Sequence, residues 1–182
     1  FYYTNNRWSF INNWNTEALD TISDIVCIAI DPTNTSKVFI GTYDEGILEI
    51  ENFKLKNIYT HTNSSLGQLL GYKYVYVTGL AFDSKNNLWA ANSGAGNMLS
   101  VKTTKDEWYS FNIGNSNLSH IMVDDNDYKW ILNRDGYCIV YNDNNTISNP
   151  DDDEYKILTK ASGQGGLPDF ANCMAVDSKG TV

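Results

Sequence analysis

The sequence predicts an all-β chain: a β-propeller fragment made of four-stranded antiparallel blades, three complete and two partial. Three observations predict it. An apolar run closing on Asp recurs four times, at Ile28-Ala29-Ile30-Asp31, Leu80-Ala81-Phe82-Asp83, Ile121-Met122-Val123-Asp124 and Met174-Ala175-Val176-Asp177. After a polar turn the first three copies continue into an aromatic strand, a third apolar strand and a fourth, alternating one. The aspartates stand 52, 41 and 53 residues apart, an interval that fits four short antiparallel strands rather than a helical or solenoid repeat.

The elements follow in order. Residues 1–20 form a partial blade, since Arg7-Trp8-Ser9-Phe10 matches the fourth strand at Trp108-Tyr109-Ser110-Phe111. The first complete blade, 21–66, carries Phe39-Ile40-Gly41-Thr42, then Gly46-Ile47-Leu48-Glu49-Ile50, then Leu55-Lys56-Asn57-Ile58-Tyr59. The second, 73–115, has Trp89-Ala90-Ala91-Asn92 and Asn97-Met98-Leu99-Ser100-Val101 in the same places. The third, 117–162, has Trp130-Ile131-Leu132-Asn133, Gly136 to Tyr141 and Tyr155-Lys156-Ile157-Leu158. Residues 170–182 open a further partial blade, whose register places an aromatic six positions beyond Asp177. A blade cannot bury both faces alone, so blades must stack, with Phe39, Trp89 and Trp130 as the bulky residues and Ala29, Ala81 and Ala175 as the small ones on the crowded innermost strand.

Composition narrows the function. Thirteen basic against twenty-two acidic residues leave a net charge of -9, which repels a phosphate backbone and argues against nucleic acid. No apolar stretch reaches the roughly 20 residues of a membrane helix. Cys27, Cys138 and Cys173 are odd in number and widely spaced, which is not a disulfide framework. The N-x-S/T matches at Asn34, Asn63, Asn117 and Asn144 are what an Asn-rich chain produces by chance.

Ile30-Asp31, Ile40-Gly41-Thr42 and Gly46-Ile47-Leu48 resemble the two-component regulator propeller repeat, from which the other copies depart where Ala91-Asn92 and Leu132-Asn133 replace Gly-Thr. That resemblance implies a periplasmic sensor domain of a hybrid histidine kinase. Residues 117–182 are more narrowly similar to the PorZ family of the type IX secretion system, through His120-Ile121-Met122-Val123-Asp124, Lys129-Trp130-Ile131, the run Asp151 to Leu158 and Gly166-Leu167-Pro168. It implies a surface protein of a Bacteroidetes-type bacterium, a non-catalytic partner of the PorU sortase that handles cargo and anionic lipopolysaccharide.

Candidate sites divide into structural and binding residues. Asp31, Asp83, Asp124 and Asp177 recur at one repeat position, so each is read as accepting backbone N–H bonds of its turn rather than as a catalytic carboxylate. The position four before each Asp holds Cys27, Gly79, His120 and Cys173; a zinc ring around the channel is weighed there against small-residue packing, and packing is preferred. The acidic groups at Asp151 to Glu154 and Asp124 to Asp127 lack calcium-loop spacing and read as solvated turns. His61 has no Cys or Ser partner for a triad. Binding is expected where second-to-third strand loops and blade connectors gather: at Tyr43, Asp44, Glu45, Asn92, Ser93, Asn133, Arg134, Asp135 and Gln164. No catalytic residue, metal or cofactor is expected. The expected function is a binding scaffold at the cell surface or in the periplasm, for a protein partner or an anionic glycan; a sensor is the alternative, and a propeller lyase or glycosidase the enzymatic one.

Overall fold

The structure is a computed structural model, which describes residues 1–12, 19, 22, 24–114, 117–159, 173–177 and 182. Its strands form three four-stranded antiparallel sheets and one hairpin. The hairpin pairs β1 (Tyr2–Thr4) with β2 (Arg7–Ser9). The first sheet runs β3 (Ile25–Ile30), β4 (Lys37–Thr42), β5 (Ile47–Glu51), β6 (Lys54–Tyr59). The second runs β7 (Val77–Phe82), β8 (Leu88–Asn92), β9 (Leu99–Lys102), β10 (Trp108–Phe111). The third runs β11 (Leu118–Val123), β12 (Lys129–Asn133), β13 (Tyr137–Asn142), β14 (Glu154–Leu158). Spatial order equals chain order in every sheet, and β7 lies beside both β3 and β11, so the first strand of each sheet is the innermost. These are propeller blades.

Alternation along the strands decides which side each residue serves. In β8, Leu88 and Ala90 join Phe39, Ile47, Val77 and Leu80 in the core between the first and second blades. Trp89 and Ala91 face the other way, into the core shared with Phe111, Ile121, Ile131, Ile139 and Tyr141 of the second and third blades. Phe39 and Trp89 therefore fill equivalent interfaces, Phe39 meeting Phe82 edge-on at 5.9 Å. The hairpin covers only the outer half of the first blade's remaining face. There Tyr2 stacks on Phe53 at 3.7 Å, and Leu48 and Ile50 are buried while Ile28 and Ile30 on the innermost strand stay exposed.

Two local features carry no signature in the apolar pattern. Each innermost strand has a register shift at the same place, between Ile25 and Cys27, Val77 and Gly79, and Leu118 and His120. The extra residue is Val26, Thr78 or Ser119, and the Thr78 and Ser119 hydroxyls donate to the carbonyls of Ala91 and Leu132 at 3.3 Å. Such a bulge re-aims the residues after it. Second, two tight hairpins have both central residues in the left-handed region, Asn5-Asn6 and Asn52-Phe53, the geometry that two-residue hairpin turns need.

Residues 173–177, read as an innermost strand, lie outside any strand, although exposure alternates along them, with Met174 and Val176 the half-buried positions. An innermost strand takes its ladder bonds from the second strand of its own blade. Gly166-Leu167-Pro168 and Gln164 lie outside the described residues.

Candidate functional site

The strand-ending aspartates sit at one end of the blades, in the turns between first and second strands. Asp83 is buried, and its carboxylate accepts from the backbone N–H groups of Lys85 (3.0 Å) and Asn87 (2.8 Å), from Asn87 Nδ2 (2.8 Å) and from Trp89 Nε1 (2.9 Å). Asp124 repeats the pattern with the N–H groups of Asn126 and Tyr128 and with Trp130 Nε1 at 2.9 Å. The indole bond accounts for the six-residue spacing, because it ties the turn to the interface aromatic. In the first blade the aromatic is Phe39, which has no side-chain N–H. Asp31 instead accepts from Thr33 N and Oγ1, both at 2.8 Å, from Asn34 N, and from Asn86 of the next blade at 3.2 Å. Burial raises its pKa, but these donors outweigh that and hold it below the ordinary 3.8. Asp177 is exposed and adjoins residues outside the described set.

Of the residues four before these aspartates, Cys27 and Gly79 face a neighbouring innermost strand, while Cys173 is exposed. The Cys27 sulfur lies 3.8 Å from the Val77 carbonyl oxygen of the second blade, and burial pushes its thiol up to about 12. A Cβ on Gly79 would meet Ile121 N of the third blade at 2.6 Å. Burial holds the His120 imidazole below its ordinary 6.5. This position is the contact between successive innermost strands.

The opposite end of the blades carries the second-to-third strand loops and the connectors, and there the structure separates the expected binding residues. Asn92 and Asn133 are fully buried and Ser93 nearly so, which corrects their reading as ligand contacts. Asn92 Oδ1 accepts from Gly67 N at 2.6 Å and its Nδ2 donates to Tyr76 O at 3.1 Å, clamping the connector onto the second blade. Asn133 Oδ1 accepts from Asp135 N at 2.6 Å and shapes its own turn. An amide ending a strand has backbone groups within reach on both sides, and satisfying them draws it inward. Asp44 and Glu45 are half-buried against the connector, where Val75 N donates to Asp44 O at 2.9 Å. Asp135 is exposed and accepts from Asn117 Nδ2 at 2.8 Å.

Tyr43 and Arg134 remain exposed. Both rest on Tyr76, a buried residue just before β7 that lies outside the loops singled out by the sequence pattern. The Tyr43 ring lies 4.0 Å from that of Tyr76, and the Arg134 guanidinium carbon lies 5.5 Å above it on the cation–π pattern. Arg134 Nη2 also donates to the Tyr76 hydroxyl at 2.5 Å. Repeat register brings the three together: Tyr43 N donates to Asp24 O and Arg134 N to Asn117 O, both at 2.9 Å, so each loop is pinned to the residue that precedes its own innermost strand, and Tyr76 is that residue in the second blade. The signal available in the sequence is this equivalence of positions 24, 76 and 117. Beside the cluster, the connector presents Leu70, Tyr72 and Tyr74 as exposed side chains.

No family model matches the chain, and no curated protein matches it by sequence. Solved structures do match. PorZ, an essential surface component of the type-IX secretion system of Porphyromonas gingivalis, is similar with a TM-score of 0.73 at 22% identity, over 86% of this chain and 23% of PorZ. The extracellular domain of the hybrid two-component system BT3049 from B. thetaiotaomicron gives 0.57 at 20%, over 79% of this chain and 18% of that one. Virginiamycin B lyase from Staphylococcus aureus gives 0.52 at 15%, over 71% and 39%. At these identities the likeness is one of fold, and both resemblances read from the sequence find their counterpart among these propellers. The chain spans under a quarter of the first two proteins. Both belong to surface or extracellular regions, and among the described residues no helix is long and apolar enough to cross a membrane.

Proposed function

We propose that this propeller is a non-catalytic binding module of a bacterial surface or periplasmic protein, a PorZ-like scaffold that takes a partner protein or an anionic glycan on its loop end. One observation carries the reading: Tyr43 from the first blade and Arg134 from the third converge, exposed, on Tyr76 of the second. A guanidinium offers a planar fork to carboxylate or phosphate, and a phenol ring beside it offers apolar contact with a polar edge. The sensor reading draws its support from the likeness to BT3049.

Arg134→Ala in the full-length protein tests it. An exposed guanidinium that only solvates the surface changes stability by no more than about 0.5 kcal/mol, whereas a charge-assisted bond to a ligand is worth about 1.5–3 kcal/mol. The variant also loses its bond to the Tyr76 hydroxyl, so it is expected to melt somewhat lower while staying folded, and the folded protein to bind purified surface polysaccharide about tenfold more weakly or worse. Superimposable titrations would remove Arg134 from the site and leave the protein-partner reading.

A further inference from the structure

Among the described residues, Tyr76 is the buried ring on which groups from the first and third blades both rest, and its own blade holds it from below through the bond from Asn92 to its carbonyl. We infer that Tyr76 is a positioning residue: its hydroxyl orients the Arg134 fork while its ring carries the exposed Tyr43 ring, so that one side chain links the two halves of a bipartite site for an anionic group attached to a ring or chain that lies on Tyr43. The inference rests on the binding reading above and adds to it a specific residue and a ligand class. Three features support it. Arg134 sits in a short loop whose backbone is fixed through Asn117, so the side chain's direction is what remains to be set. A guanidinium has five N–H donors, and the hydroxyl of Tyr76 takes a bond from Nη2, which orients the fork without using all of it. Ordering a long side chain before the ligand arrives removes part of the entropy cost of binding.

The decisive variant is Tyr76→Phe in the full-length protein, which keeps the ring under Tyr43 and removes only the hydroxyl. Sulfated dextran serves as the anionic probe and dextran as its neutral control. Wild type is expected to bind the sulfated polymer, Arg134→Ala to lose about tenfold, Tyr76→Phe to lose about threefold to tenfold while staying folded at the assay temperature, and the double variant to be no weaker than Arg134→Ala, since the two act through one group. A second readout is independent of any ligand: modification of Arg134 by phenylglyoxal, followed by mass spectrometry, is expected to speed up in Tyr76→Phe. Wild-type affinity and unchanged Arg134 reactivity in Tyr76→Phe, alongside a weakened Arg134→Ala, would overturn the positioning role and leave the binding reading in place. Failure of the wild type to bind sulfated dextran, or binding equal to that of dextran, would overturn the anionic site and the role together.

Discussion

At the scale of single residues, the repeat aspartates are best understood by their donors. Asp83 collects two backbone N–H groups, an amide and an indole, and the Asn87 and Trp89 donors are buried, so removing it strands polar groups shielded from water. Turn capping by itself is worth about 0.5–2 kcal/mol, and losing hydrogen bonds to a charged acceptor costs about 1.5–3 kcal/mol. Asp83→Ala is therefore expected to lower stability at the upper end of these ranges without altering ligand affinity measured on the folded fraction. Trp89→Phe, which deletes the indole donor, should show strong non-additivity with it in a double-mutant cycle. A melting temperature equal to wild type in Asp83→Ala would contradict the assignment.

At the scale of elements, the innermost strands are spaced by what stands after their bulges. Gly79 has no side chain because Ile121 N of the adjacent strand lies 2.6 Å from where a Cβ would be, and backbone cannot yield as a flexible side chain can. Gly79→Ala should force β7 and β11 apart and cost about 1–3 kcal/mol, the range for overpacking. Gly96, where a Cβ would meet nothing within 4 Å, provides the matched control: Gly96→Ala should leave the urea midpoint where it is. Similar midpoints for the two variants would mean that the strands are not in close contact at Gly79. The same spacing explains why Cys27 is a packed thiol, its sulfur against Val77 O.

At the scale of the whole molecule, blades are joined by polar stitches as well as by aromatic cores. Ser84 donates through N and Oγ to Asp127 of the third blade at 2.8 and 2.5 Å, and Asn86 donates to Asp31 and Thr33 of the first at 3.2 Å. Deeper, Lys129 lies 4.3 Å over the Trp89 ring and pairs with Asp143 at 2.5 Å, both partners almost fully buried. Its counterpart in the second blade is Leu88, which packs in the core with Phe39, so a cation occupies a place where the second blade puts an aliphatic. Lys129→Met alone leaves Asp143 charged and unpaired, and is expected to cost about 3–5 kcal/mol, while Lys129→Met with Asp143→Leu should recover most of it. Denaturant titration of the two variants measures this. A single variant as stable as wild type would show that the pair is dispensable.

The sequence by itself determined what depends on short-range pattern. Period-two alternation, the Asp turn and the aromatic that follows it recur locally, and they were enough for the all-β class, the four-strand unit and the places of Phe39 and Trp89 between blades. The tertiary structure alone decided which polar side chains face water. Asn92 ends the second strand of one blade and Arg134 follows the second strand of the next, and both are rich in hydrogen-bonding capacity on paper. Whether such a group turns in or out depends on the backbone that crosses above it: the connector at Gly67 draws Asn92 inward, and Tyr76 of a different blade holds Arg134 outward. The partners of Arg134 and Asn92 lie 58 and 25 residues away. No local pattern encodes that pairing, because it exists only once the blades have stacked.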